Sequence, residues 1–127
     1  MKLSKLKSDP SKTTGRKFEF ATGVSLLIAK WGNPRHMAAL ERLAMERSEK
    51  GMANNESALS RDERVAASEG VLVGWDGIED DDGNRVAYSQ EKAQEILTDP
   101  DMWEVWQFVR MKSTGGFKAA EEQIQGN

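Results

Sequence analysis

Four groups of residues in this chain of 127 are of types that could do chemistry. They are the lone histidine His36, the acidic run Glu79-Asp80-Asp81-Asp82-Gly83-Asn84, the glycine pair Gly115-Gly116, and the lysines of the opening segment. A hydrolytic triad needs an imidazole beside a nucleophile motif. The chain has no such motif, and His36 follows Pro34 at the start of an expected helix, so its expected place is the surface or a helix terminus. The acidic run invites a calcium reading. With the obligatory glycine of the calcium loop set on Gly83, Asp80 and Asp82 take the third and fifth positions, but Ile78 falls at the first and Ser89 at the twelfth, where a bidentate Glu belongs. A solvated turn is expected instead. Its carboxylates are screened by water, so no raised pKa and no acid–base pair is expected there. Gly115-Gly116 lacks the Lys-Ser or Lys-Thr pair of a phosphate loop, although Lys118 is near. With no cysteine, thiolate chemistry and sulfur-bound zinc are excluded. The expectation is a protein that is not an enzyme, with no catalytic residue, metal or cofactor.

Charge is distributed unevenly. Residues 1–50 carry 11 Lys or Arg against 5 Asp or Glu, whereas residues 51–127 carry 7 against 16. Lys2, Lys5, Lys7, Lys12, Arg16 and Lys17 could neutralise phosphates in a salt-dependent, sequence-blind manner. Against nucleic acid as the main partner, no basic recognition helix appears, and Glu41, Glu46 and Glu49 interrupt the bases of the first helix. The opposite signs of the two halves also suggest a homo-oligomer by head-to-tail attraction. The longest apolar run, Leu26 to Ala29, is far too short to span a membrane, and no signal peptide is apparent; the expected place is a cytoplasm.

The aromatic residues are the remaining candidates. Trp103, Trp106 and Phe108 lie within six residues of one expected helix, which cannot turn all three rings to one core. Either Trp106 is core and Trp103 closes the domain edge, or the exposed ring anchors another protein, as tryptophans do at interface hot spots. Trp31 and Trp75 join these as candidate partner-binding residues.

The elements that must position these residues follow from periodicity and caps. Residues 1–15 read as a flexible basic leader. Lys17-Phe18-Glu19-Phe20 alternates, Thr22-Gly23 offers a turn, and Val24, Leu26 and Ile28 resume the period of two, which predicts a β-hairpin. Gly32-Asn33-Pro34 ends it and opens a helix over 35–50, with Met37, Leu40, Leu43 and Ala44 at helical spacing and Gly51 as its C-terminal cap. After a polar linker, a capping box of Ser60 and Glu63 predicts a second helix running toward Val71 and Leu72 and ended by Trp75-Asp76-Gly77. Asp82 and Gly83 lie in the acidic turn. Ser89 caps a short helix over 90–98 with the stripe Ala93, Ile96 and Leu97, and Asp99-Pro100 restarts helix geometry, with Met102, Val105, Trp106 and Val109 on one face. Residues 115–127 read as a polar tail, starting with the glycine pair and including Phe117. The expected fold is mostly α (α+β): one domain over 16–114, with an N-terminal β-hairpin followed by about four short helices.

The order of these pieces resembles the tail assembly chaperones of long-tailed phages. The likeness runs from Trp31-Gly32-Asn33-Pro34 through a helix, a linker and Val71-Leu72-Val73-Gly74-Trp75-Asp76-Gly77-Ile78. It continues with Asp81-Asp82-Gly83-Asn84, Val86-Ala87-Tyr88-Ser89 and Ile96-Leu97-Thr98-Asp99-Pro100, and spans about residues 16–117. The basic leader and the tryptophans do not map onto that family's pattern. The resemblance implies a non-catalytic protein of the host cytoplasm that coats the tape-measure protein, helps recruit tail-tube protein and leaves before the particle is mature. Many such chaperones also have a frameshift-extended form. The alternatives are a structural head-to-tail connector or tail-completion protein, and a nucleic-acid-binding accessory protein that uses the basic leader.

Overall fold

The alternation of Lys17-Phe18-Glu19-Phe20 does form an edge strand. In the computed structural model, which describes residues 2–3 and 14–117, β1 (Arg16–Ala21) and β2 (Val24–Ile28) make an antiparallel hairpin, with Phe18 opposite Leu26. Phe18 and Phe20 turn to the main core, while Lys17 and Glu19 are exposed. The rest of the expected leader and the tail beyond Phe117 lie outside the described residues.

A third strand, β3 (Leu72–Asp76), pairs antiparallel with β2 and completes a sheet of order β1-β2-β3. Periodicity and caps alone place Val71 and Leu72 at the end of a helix. The helix in fact stops at Gly70, and the apolar run that follows is strand because β2, more than 40 residues away, offers it a ladder: Leu26 faces Trp75 and Ile28 faces Leu72.

Four α-helices complete the fold. The first, α1 (Pro34–Glu49), starts as expected, with Pro34 where its missing N–H removes nothing. Its buried stripe is His36, Ala39 and Leu43, with Leu40 half-buried, rather than the expected Met37, Leu40, Leu43 and Ala44; Met37 is 44% exposed. The stripe is rotated because the Asn33 side-chain amide donates to the Gly70 carbonyl at 2.7 Å, and Gly70 lies against the backbone of Arg35 and His36, which turns the His36 side of the helix inward. The second helix, α2 (Glu56–Gly70), begins four residues ahead of the expected Ser60 box: Asn55 Oδ1 accepts from Ala58 N–H at 2.9 Å, leaving Ser60 exposed inside the helix. At its far end, Gly70 runs against α1, where a Cβ would strike the backbone of Arg35 and His36.

Ser89 caps α3 (Gln90–Thr98) by accepting from Lys92 N–H at 3.0 Å. Asp99 accepts from Asp101 N–H at 2.9 Å and opens a 3₁₀ turn (Pro100–Met102) that feeds α4 (Trp103–Met111), extended by a π-helical turn (Lys112–Gly116). Leu26, Ile28, Val71, Leu72, Leu97, Trp106 and Val109 form the main core, each large side chain contributing roughly 1.5–3 kcal/mol by its burial. A second cluster of Ala39, Leu43, Val65 and Ala66 joins α1 to α2. The small residues of α2 allow both neighbours a close approach. Across this helix pair Arg47 donates to Asp62 at 2.6 Å, and Arg42 pairs with Glu69. The architecture is thus a single α+β domain, with one strand more than the sequence showed. Phe117, expected in the polar tail, is fully buried against Phe18 at 6.2 Å between ring centroids, so the folded domain reaches at least that far.

Candidate functional site

Between the inner face of the sheet and the α3–α4 side of the fold lies a cavity of about 310 Å³. Val24 and Leu26 of β2 and Trp75 of β3 line one wall; Ile96 of α3, Met102 of the 3₁₀ turn and Val105 of α4 line the other. Glu79 is the one titratable side chain among its described lining residues. Pockets that orient polar substrates carry several converging polar groups. An apolar cleft with a single carboxylate suits hydrocarbon side chains instead, and the exposed Met102 gives its rim an adaptable surface.

The expected partner-binding residues do not come together. Trp75 reaches the cleft but is held by its own scaffold: its Nε1–H donates to the Val86 carbonyl at 2.8 Å, and its ring meets Tyr88 edge-on at 4.9 Å. Tyr88 in turn donates to the Leu72 carbonyl at 2.8 Å, and burial pushes its phenol above the ordinary value, with Arg35 pulling the other way. Trp106 is a core residue, 3% exposed, and Trp31 packs beside it at 6.2 Å. Phe108 is half-buried, edge-on to Phe20 at 5.1 Å. Trp103 alone of the five is exposed, at 46%, with the Arg64 guanidinium 5.2 Å from its ring centre. The single face read along α4 is therefore divided. Trp106 and Val109 enter the core, whereas Met102 and Val105 face the cleft. Val24, Ile96 and Val105 were not singled out as site residues. They were visible only as members of amphipathic stripes, and their half-exposure follows from how sheet and helices meet.

The motif residues hold backbone. Asp80 Oδ1 accepts from Asp82 N–H at 3.0 Å and from Asn84 N–H at 2.9 Å, which makes the acidic run a self-capped turn with Gly83 at φ +83°. Asp76 stands at the exposed end of β3 opposite Ser25. Gly77 follows at φ +86°, pressed against the hairpin tip. Among the described residues no group of three or more His, Asp or Glu is placed to hold a metal ion, and no helix is long and apolar enough to cross a membrane.

His36 departs from its expected surface position. It lies in the first turn of α1, as a helix-terminal residue would, but it is fully buried. Its Nδ1 accepts from Gly32 N–H at 3.0 Å, and its ring sits edge-on to Trp31 at 4.4 Å. Nδ1 is thereby the unprotonated nitrogen, and Nε2, which has no partner among the described residues, carries the proton of the neutral ring. Burial lowers the pKa of His36 below its ordinary 6.5. The unfolded chain therefore takes up a proton first as pH falls, and the stability present above about pH 6.5 is lost below it, at no more than about 1.4 kcal/mol per pH unit for one proton. Thermal melts between pH 7.5 and 5 are expected to show this fall, and His36→Gln, whose amide oxygen can accept from Gly32, to flatten it. An unchanged slope in that variant would remove His36 as its cause.

Residues 31–126 match the family model described as YdaY prophage protein. The class is thus that of phage-derived proteins, the coarser part of what the tail-chaperone resemblance implied. More particularly, the chain belongs to the YdaY prophage protein family. Neither a curated protein nor a solved structure matches it.

Proposed function

We propose that this prophage protein is a non-catalytic tail assembly chaperone, whose cleft receives apolar side chains of a helical tape-measure protein and keeps that client soluble until tail-tube subunits are recruited. The observation that carries this reading is the apolar cleft itself, open between sheet and helices with Met102 at its rim. A helix laid in a groove presents side chains at i, i+3, i+4 and i+7, and a thioether adapts to differing partners without a fixed geometry. Phage origin fits the same reading. On it, the protein acts in the host cytoplasm and is absent from the mature tail.

Coexpression with the tape-measure protein encoded by the same prophage tests the proposal. The expected result is a soluble complex that survives gel filtration and that Val105→Glu weakens at least about tenfold, since a charge placed in the cleft must lose water when the client binds. Met45→Glu, at an α1 residue that is 66% exposed and outside the lining of the cleft, is expected to bind as the unmodified protein does. A client whose solubility is unchanged, with no complex on the column, would overturn the proposal.

A further inference from the structure

The outer edge of β1 carries a self-complementary pattern. β1 has a strand neighbour on one side only, and residues 17–21 make no backbone hydrogen bond beyond the ladder to β2 among the described residues. Such an edge is a template for another strand unless it is blunted, commonly by charges of one sign that repel a copy of themselves. Here the exposed charges are of opposite sign and two residues apart, Lys17 and Glu19, with Phe18 between them on the inner face.

We propose that β1 pairs antiparallel with β1 of a second copy of this chain, about a two-fold axis through Phe18. In that register the residue numbers of facing positions are symmetric about Phe18. Lys17 of each copy therefore faces Glu19 of the other, giving two cross-strand ion pairs on the exposed face. Phe18 faces its own symmetry mate and extends the aromatic layer it makes with Phe117. A shift of the axis by one position either way loses both ion pairs, so charge selects the register. A parallel pairing in register would set like charges side by side. An isologous contact of this kind closes on itself and satisfies the open edge, joining two three-stranded sheets into one.

The experiment is sedimentation of the full chain over a concentration series, with the variants Lys17→Glu, Glu19→Lys and the double exchange. The expected result is a dimer that each single variant weakens about tenfold, because two attractive pairs become two repulsive ones, and that the double exchange restores to within about twofold. Both positions are exposed, so circular dichroism is expected to be unchanged in all three. Because the chain has no cysteine, Lys17→Cys mixed with Glu19→Cys supplies a second reading: disulfide-linked heterodimers form in the mixture and not within either variant alone. A chain that stays monomeric, as it would if the edge served a strand of another protein, overturns the proposal. So does a dimer indifferent to the charge variants.

Discussion

Gly77→Ala is expected to lower the stability of the domain by about 3 kcal/mol or more, a fall of roughly 15 °C in melting temperature for a domain of this size. Two causes add. Gly77 sits at φ +86°, where a Cβ costs about 1–2 kcal/mol on its own. That Cβ would also lie inside van der Waals contact with the Gly23 carbonyl oxygen, 2.9 Å from its carbon and 3.3 Å from Val24 Cα. Because all of these neighbours are backbone, no rotamer change relieves the clash, and either the tip of the β1–β2 hairpin or the exit of β3 must move. Gly83→Ala separates the causes: its φ is +83° but nothing lies within 4 Å of the added carbon, so it is expected to cost only about 1–2 kcal/mol. Equal losses in the two variants, measured by thermal melts followed by circular dichroism, would show that conformation and not contact sets the requirement. Gly77 also lines the apolar cleft, so a folded Gly77→Ala protein is expected to bind a client less well.

What could be read in the chain before its structure was local. The Asn33-Pro34 start of α1, the Ser89 cap and the Asp99-Pro100 restart each depend on residues within four positions of one another, the hairpin on alternation within a dozen, and each is present. The β3 strand was not legible. Val71-Leu72-Val73 is an apolar run without period, and only its pairing with β2 makes it strand. The start of α2 was misplaced for a related reason. Asn55 and Ser60 are both cap residues, and in the fold it is the Asn55 side chain that takes an amide of the first turn, from Ala58, while Ser60 stands exposed within the helix.

The site was legible in its ingredients and not in its location. Trp31 and Trp106, prominent among the aromatic candidates, pack on each other, and Trp31 also meets His36. The cleft is instead walled mainly by aliphatic residues and Met102, drawn from β2, β3, α3, the 3₁₀ turn and α4, with Phe20 and Trp75 the aromatic members. A stripe on a helix announces that it will be covered, but not whether its own domain or a partner covers it. That division is made from the 3₁₀ turn into α4, where Met102 is 41% exposed and Val109 has no exposure. His36 shows the converse. A polar residue on a rotated stripe is buried because the cap and the hairpin end, through Gly32 N–H, give one of its nitrogens a partner.

Asn33→Ala is expected to cost about 3–4 kcal/mol, because this buried side chain holds three elements at once. Its Oδ1 accepts from Arg35 N–H at 3.0 Å and His36 N–H at 3.1 Å, capping α1. Its Nδ2 donates to the Lys30 carbonyl, where β2 has ended, and to the Gly70 carbonyl, where α2 gives way to β3, both at 2.7 Å. Removing the amide loses the cap, worth about 1–2 kcal/mol, and takes the donor from the buried Gly70 carbonyl, worth about 1–3. Asn33→Ser, which can cap but cannot span to Gly70, is expected to recover only the first part. Asn33→Asp is the sharper test. It keeps the acceptor for both helix amides but sets a carboxylate oxygen against two carbonyls where two N–H bonds had been, so near neutral pH it is expected to be nearly as unstable as the alanine variant. Protonation gives that carboxyl a hydroxyl donor. The folded state of this variant therefore binds a proton more tightly than the unfolded state, and its deficit is expected to shrink as pH falls toward 4, against the direction set by His36. A deficit that stays constant across that range in denaturant titrations would mean that the cap, and not the tie to Gly70, holds the junction on which β2, β3 and both walls of the cleft depend.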